Sequence, residues 1–179
     1  DLDFYVILTV FSFYANYATG FYGVAPASAA GLFVACIYGG SLTVNILLGT
    51  MDLLSLKQKF ILSKFVTLAL LCLLVFFPSP PAFFVISFML GFVRAIRNVV
   101  YPPSVKRFAA RTDATPYFSM APVLTLPFAA GYPLLFGKML DYLAWLQQDS
   151  YRLLFGISAL IILTTLYLSF QVDYSSGRN

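Results

Sequence analysis

The chain has 179 residues, of which 60% are hydrophobic and 10% charged, with a net charge of +4. Soluble domains carry about 25% charged residues, so this composition excludes a water-soluble globule and indicates an integral membrane protein. Histidine and glutamate are both absent, which excludes His-dependent triads and histidine metal sites. No glycine-rich phosphate loop is present. We therefore expect no enzyme, no cofactor and no metal, and we attribute the positive charge to membrane topology rather than to nucleic-acid binding.

Six apolar segments are candidates for membrane-spanning helices, which need about 20 mostly apolar residues. Divided at polar, glycine and proline clusters, they are residues 3–23, 28–50, 60–77, 82–104, 115–140 and 152–171. The connectors are too short to form soluble domains. The sequence predicts an all-α, polytopic membrane protein, one six-helix transmembrane domain over residues 1–179. Because the chain begins without methionine, we expect it to be part of a longer protein.

Lysine and arginine predict the orientation of the domain, since cytoplasmic connectors are enriched in both. One side carries seven such residues against two, Lys138 and Arg152, on the other. Both ends are therefore expected in the cytoplasm, in a plasma or inner membrane, with residues 51–59 and 105–114 as inside connectors. The seven are Lys57, Lys59, Lys64, Lys106, Arg107, Arg111 and Arg178.

The first two spans carry polar and small residues at helical spacing. In the first, Tyr5, Thr9, Ser12 and Asn16 form one narrow stripe. Interhelical hydrogen bonding and a functional role are equally good interpretations of this stripe. In the second, the small-xxx-small series Gly31, Ala35 and Gly39, with Gly40 beside it, predicts close helix packing. The cysteines, Cys36 and Cys72, are expected to be packing residues without a disulfide.

The fourth span contains the stretch "GFVRAIRNVVYPP", Gly91 to Pro103. Its residues Arg94, Arg97, Asn98 and Tyr101 share an arc of about 120° on a helix. Each central arginine costs on the order of 2.5–3.5 kcal/mol in the membrane. The arginines could snorkel, pair with an acid, or line a cavity for an anionic ligand; few acids lie in the spans, which favours the cavity. The Pro102-Pro103 step is expected to kink or end the helix.

Residues 26–64, "PASAAGLFVACIYGGSLTVNILLGTMDLLSLKQKFILSK", resemble a helix connection of major facilitator superfamily transporters. In that family a span ends in Gly and Asp, followed by a basic inside turn. Gly49, Asp52, Lys57 and Lys59 take those parts here and would form a cytoplasmic latch. The spacing departs from the family pattern, because Asp follows Gly by three residues rather than four. The last two predicted spans are also similar to those that end such a transporter.

The resemblance implies the carboxy-terminal six-helix half of a twelve-helix transporter, with the amino-terminal half as its partner. In the family the first and fourth helices of each half line a central cavity, and here these are the two spans with polar faces. The implied function is secondary or facilitative transport of a small anionic or zwitterionic solute by alternating access. A non-transporting scaffold or receptor of the same fold and a channel are the alternatives. The expected solute-binding residues are Arg94, Arg97, Asn98, Tyr101, Asn16 and Ser12.

Overall fold

The computed structural model describes residues 2–51, 53–108, 113 and 115–171. These residues form six long helices and contain no strand. A π-helical segment, Asn45–Thr50, extends the second helix, and a short 3-10 turn, Ala144–Leu146, precedes the last one. The helices are α1 (Leu2–Phe21), α2 (Pro26–Val44), α3 (Leu56–Phe76), α4 (Pro80–Phe108), α5 (Thr115–Tyr142) and α6 (Gln148–Gln171).

Each predicted span corresponds to one helix, and the all-α class is confirmed. Five helical segments of the described chain are long and apolar enough to cross a membrane, namely α2 with its π-helical extension, α3, α4, α5 and α6. Helix α1 is not among these five. The chain is thus an integral membrane protein with several spanning helices, whereas a six-span topology remains a prediction.

Helices α2 and α4 make the closest crossing in the bundle, through Gly40 and Gly91. A Cβ added at Gly40 would overlap the carbonyl oxygen of Phe88, and one added at Gly91 would overlap that of Ile37. Only glycine allows two backbones to approach in this way. Ser41 strengthens the crossing, because its hydroxyl donates to the Gly91 carbonyl over 3.0 Å.

Of the small residues predicted for this packing, Gly40 is confirmed at the crossing, whereas Gly31 and Ala35 are not part of it. Gly31 and Ala35 are exposed, and a Cβ at Gly31 would meet nothing within 4 Å. At Gly39 a Cβ would touch only the ring of Phe88, at 3.9 Å. Gly31, Ala35 and Gly39 do share one face of α2. The adjacent face, which contains Gly40, makes the closest contact with α4.

An aromatic cluster holds α1 among α2, α4 and α6. Tyr17 of α1 is fully buried and lies 5.3 Å, between ring centroids, from Tyr151 and 5.4 Å from Phe155. Phe83 contacts Tyr17 edge-on at 6.0 Å. Farther along α1, Tyr14 stacks on Phe33 at 5.5 Å. Such ring pairs stabilise packing by about 0.5–1.5 kcal/mol each beyond their buried area, so α1 is fixed inside the bundle.

Prolines lie inside α4 and α5 as well as in their first turns. Helix α4 continues through Pro102 and Pro103 to Phe108, so the helix does not end at this step. A proline has no N–H to donate, and the carbonyls of Asn98 and Val99 therefore lose their usual partners four residues on.

The amino-terminal ends of α3 and α5 are capped by side chains. Ser55 and Gln58 form a reciprocal capping box at the start of α3. Before α5, the carboxylate of Asp113 accepts from the Thr115 N–H over 2.9 Å. The side-chain and backbone hydrogen bonds of Thr115 lower the pKa of Asp113 below its ordinary value of 3.8. Capping fixes where each helix begins.

Candidate functional site

The polar residues of α4 do not face a single cavity. Arg94 and Asn98 line a groove toward α2, whereas Arg97 and Tyr101 line a cavity toward α1 and α3. Within each pair the two residues are four positions apart and so lie one turn apart on the same side of α4. The two pairs point in different directions from the helix. The predicted site is thus two sites, which we call the Arg94 groove and the Arg97 cavity.

The Arg94 groove has a volume of about 460 Å³ and lies between α2 and α4. Arg94, Asn98 and Asn45 are exposed at its surface. No acidic side chain is among its lining residues in the described part of the chain, so its only formal charge is the guanidinium. The lining residues are Phe11, Val34, Ile37, Tyr38, Ser41, Asn45, Arg94, Ala95 and Asn98.

A smaller cavity of about 100 Å³ connects Arg94 with α1. Ile7, Leu8 and Phe11 form its α1 wall, and Leu90 lies one turn before Arg94 on α4. Arg94 therefore lines two neighbouring spaces, one between α4 and α2 and one between α4 and α1. Its guanidinium has apolar neighbours on the α1 side and polar ones on the α2 side, which favours an anion approaching from the groove.

The Arg97 cavity has a volume of about 250 Å³ and lies between α1, α3 and α4, partly open to the outside. The Arg97 guanidinium lies 3.8 Å from the ring centroid of Phe4 and 4.7 Å from that of Tyr101. Such cation–π contacts contribute about 0.5–2 kcal/mol each. The lining residues are Asp3, Phe4, Ile7, Phe60, Ser63, Thr67, Val93, Ile96, Arg97, Val100, Tyr101 and Ser104.

A buried ion pair next to this cavity was missed in the sequence. Lys64, counted above on the cytoplasmic side, lies within α3, is 2% exposed and pairs with Asp3 of α1, which is 23% exposed. Its ammonium also donates to the Thr165 hydroxyl of α6 over 3.4 Å and lies 4.7 Å from the Phe60 ring centroid. A buried lysine requires such partners. Pairing across distant helices leaves no local sequence signal.

The polar stripe of α1 divides into structural and exposed halves. The Tyr5 hydroxyl is 2.8 Å from that of Thr125 and joins α1 to α5, while Thr9 is fully buried and donates to its own helix. Ser12 and Asn16 are exposed, and neither lines the Arg94 groove or the Arg97 cavity. Interhelical hydrogen bonding therefore explains Tyr5, whereas Ser12 and Asn16 lie on an open face.

The predicted latch residues lie around the turn between α2 and α3. Gly49 is exposed in the π-helical segment, and a Cβ there would meet the Val99 side chain at 3.8 Å. Lys57 and Lys59 lie in the first turn of α3, and Lys59 is only 6% exposed. Asp52 lies outside the described residues.

Other chemistry has little support among the described residues. No group of three or more metal-ligating side chains occurs in this part of the chain, and Cys36 and Cys72 are both free thiols. The expectation of two unpaired cysteines is confirmed. What the described helices offer chemically is charge and hydrogen bonding in two cavities.

Comparison with known protein families, with curated proteins and with solved structures finds no match to this chain. The class defined by its helices is that of an integral membrane protein. Membership of the major facilitator superfamily rests on the sequence pattern alone and stays a prediction.

Proposed function

We propose that this chain is the six-helix half of a transporter that moves a small anionic or zwitterionic solute across a membrane by alternating access. The Arg94 groove is its solute-contacting surface. The single observation that carries the proposal is an exposed arginine in a spanning helix, in a groove whose described lining has no acid. Grooves of this size fall within the range of about 300–1,000 Å³ typical of small-molecule sites.

The energetics of Arg94 favour a groove that holds water or an anion. A central arginine costs about 2.5–3.5 kcal/mol in the bilayer, and it is retained where it faces protein, water or a ligand. The planar guanidinium donates two parallel hydrogen bonds to a carboxylate or phosphate. In this role Arg94 binds the anionic group of the solute, and Asn98 and Asn45 donate to its polar part.

The remaining predicted residues take supporting parts in the proposal. The cation–π contacts of Arg97 suit a residue that holds α1 against α4. Ser12 and Asn16 contact the solute only if its path follows the open face of α1. Lys57, Lys59, Gly49 and Asp52 act as the cytoplasmic latch.

Solute transport is tested with the complete natural protein in proteoliposomes. Uptake of radiolabelled monocarboxylates and amino acids is measured for the natural sequence, Arg94→Ala and Arg94→Lys. Arg94→Ala abolishes uptake. Arg94→Lys retains a small part of the uptake, because the positive charge remains but the two parallel hydrogen bonds of the guanidinium are lost. The control is Lys106→Ala, since Lys106 is an exposed cation of the same helix and lines neither the Arg94 groove nor the Arg97 cavity. Normal uptake by Arg94→Ala at equal protein content contradicts the assignment.

A non-transporting scaffold or receptor is the second candidate, and the Asp3–Lys64 pair favours it. That pair demonstrates that a buried cation in this bundle is neutralised by an acid from another helix. By the same logic Arg94 would pair with an acid of the amino-terminal half and bind no solute. In that case Arg94→Ala lowers the amount of assembled protein, and no solute is transported by the natural sequence.

A further inference from the structure

The Arg97 cavity is a second compartment, separate from the Arg94 groove. Phe4, Phe60 and Tyr101 provide three aromatic side chains in its wall, and Val93 and Ile96 form an apolar side. An apolar cavity of about 150 Å³ accommodates benzene. At about 250 Å³, this cavity has room for a ring system larger than benzene.

The serine and threonine hydroxyls in the wall can only accept hydrogen bonds from an occupant. Thr67 donates its proton to the Ser63 carbonyl over 2.7 Å, Ser63 donates to the Phe60 carbonyl over 2.7 Å, and Ser104 donates to the Val100 carbonyl over 2.8 Å. A hydroxyl has one proton and two lone pairs. Once the proton is committed to the helix, only the lone pairs remain for an occupant of the cavity.

The cation of the cavity is covered by rings. Phe4 and Tyr101 lie against the Arg97 guanidinium at 3.8 and 4.7 Å, and the negative charge of Asp3 is engaged by Lys64. Asp3 is thus engaged by Lys64, and Arg97 is engaged by aromatic faces. The cavity presents aromatic surface and acceptor oxygens, the complement of a ring that bears a hydrogen-bond donor.

We propose that the Arg97 cavity binds a small neutral aromatic molecule that carries an N–H or O–H donor, of the indole or phenol class. The ring packs against the aromatic and apolar wall, and its donor binds the oxygen of Ser63, Thr67 or Ser104. The proposal stands apart from solute transport, since it concerns a different cavity and is tested by binding alone.

The test uses the complete natural protein in lipid nanodiscs, with fluoroindole and N-methyl-fluoroindole as probes. The two probes have similar ring systems, but only fluoroindole has a donor. Binding is followed by fluorine NMR, with empty nanodiscs as the background for lipid partitioning. A net hydrogen bond of 0.5–1.5 kcal/mol corresponds to a roughly 2- to 12-fold affinity difference, so fluoroindole binds about 2- to 12-fold more tightly.

The acceptor is identified by removing the hydroxyls one at a time in Ser63→Ala, Thr67→Val and Ser104→Ala. At least one variant erases the difference between the two probes while still binding both. The matched control is Thr164→Val, because Thr164 makes the same backbone bond, to Leu160 over 3.0 Å, on an exposed face of α6. Size-exclusion chromatography verifies that each variant is folded.

Three results overturn the proposal. The natural protein binds neither probe above the nanodisc background, it binds both equally, or all three hydroxyl variants preserve the difference. Because uptake is not measured, these results leave the transport function of the Arg94 groove unaffected.

Discussion

Replacing Gly91 by alanine tests the packing of α2 against α4, on which the Arg94 groove depends. The added Cβ would overlap the Ile37 carbonyl oxygen and lie 2.6 Å from the Ile37 carbonyl carbon. Both obstructing atoms belong to the backbone, so no side-chain rotation relieves the overlap. Helices α2 and α4 must separate, and the Ser41 hydroxyl then loses its 3.0 Å bond to the Gly91 carbonyl.

The magnitude follows from three contributions. Overpacking costs about 1–3 kcal/mol, and an interhelical hydrogen bond in a membrane contributes about 0.6 kcal/mol. Alanine gains about 1 kcal/mol over glycine in helix propensity. The free energy of unfolding should therefore fall by about 0.6–2.6 kcal/mol. Gly31→Ala is the matched control, because the same methyl meets nothing within 4 Å and only the propensity gain applies.

The assay is unfolding of the purified protein in mixed micelles with increasing SDS, followed by circular dichroism. Gly91→Ala unfolds at a lower SDS fraction than the natural protein, and Gly31→Ala unfolds at the same or a higher fraction. Equal stability of the two variants would refute the close backbone crossing of α2 and α4.

Three further predictions concern charge and topology. Lys64→Met lowers the free energy of unfolding by about 2–4 kcal/mol. This is less than the roughly 3–5 kcal/mol typical of breaking a buried ion pair, because Asp3 is partly exposed. Adding Asp3→Asn restores part of the lost stability in the same SDS assay. The pKa of Asp113 lies below 3.8 and rises in Thr115→Val, which carbon NMR of the carboxylate measures. The ionised Asp113 carboxylate stabilises the fold above pH of about 3.8, and this contribution is lost as the pH falls through the lowered pKa. In a cysteine-free background, Ser79→Cys reacts with an impermeant maleimide from outside the cell.

Most of the helices were predictable because long apolar segments leave the backbone few other solutions in a membrane. The ends of the helices were less predictable. Helix α4 continues to Phe108 beyond the predicted end at residue 104, since its prolines are accommodated within the helix. The π-helical segment Asn45–Thr50 has no sequence signature of its own.

The division of the polar face could not be derived from helical angles. Those angles place Arg94 and Arg97 about 60° apart on one side of α4. Which cavity each residue lines depends on the neighbours, α2 beside Arg94 and α1 with α3 beside Arg97. Long-range pairing likewise decides that Lys64 meets Asp3, 61 residues earlier in the chain (64 − 3 = 61). Both the cavity that each arginine lines and the pairing of Lys64 with Asp3 depend on how the helices are arranged in space. Local sequence periodicity carries no information about that arrangement.

The central claim, that the Arg94 groove is wet and attracts anions, is tested most directly by thiol accessibility. Asn98→Cys is introduced with Cys36 and Cys72 replaced by serine, and its reaction rates with an anionic and a cationic methanethiosulfonate reagent are compared. We expect faster reaction with the anionic reagent. The ratio of the anionic to the cationic reaction rate falls several-fold when Arg94→Ala is added. No reaction with either reagent, or a ratio that does not depend on Arg94, would contradict it.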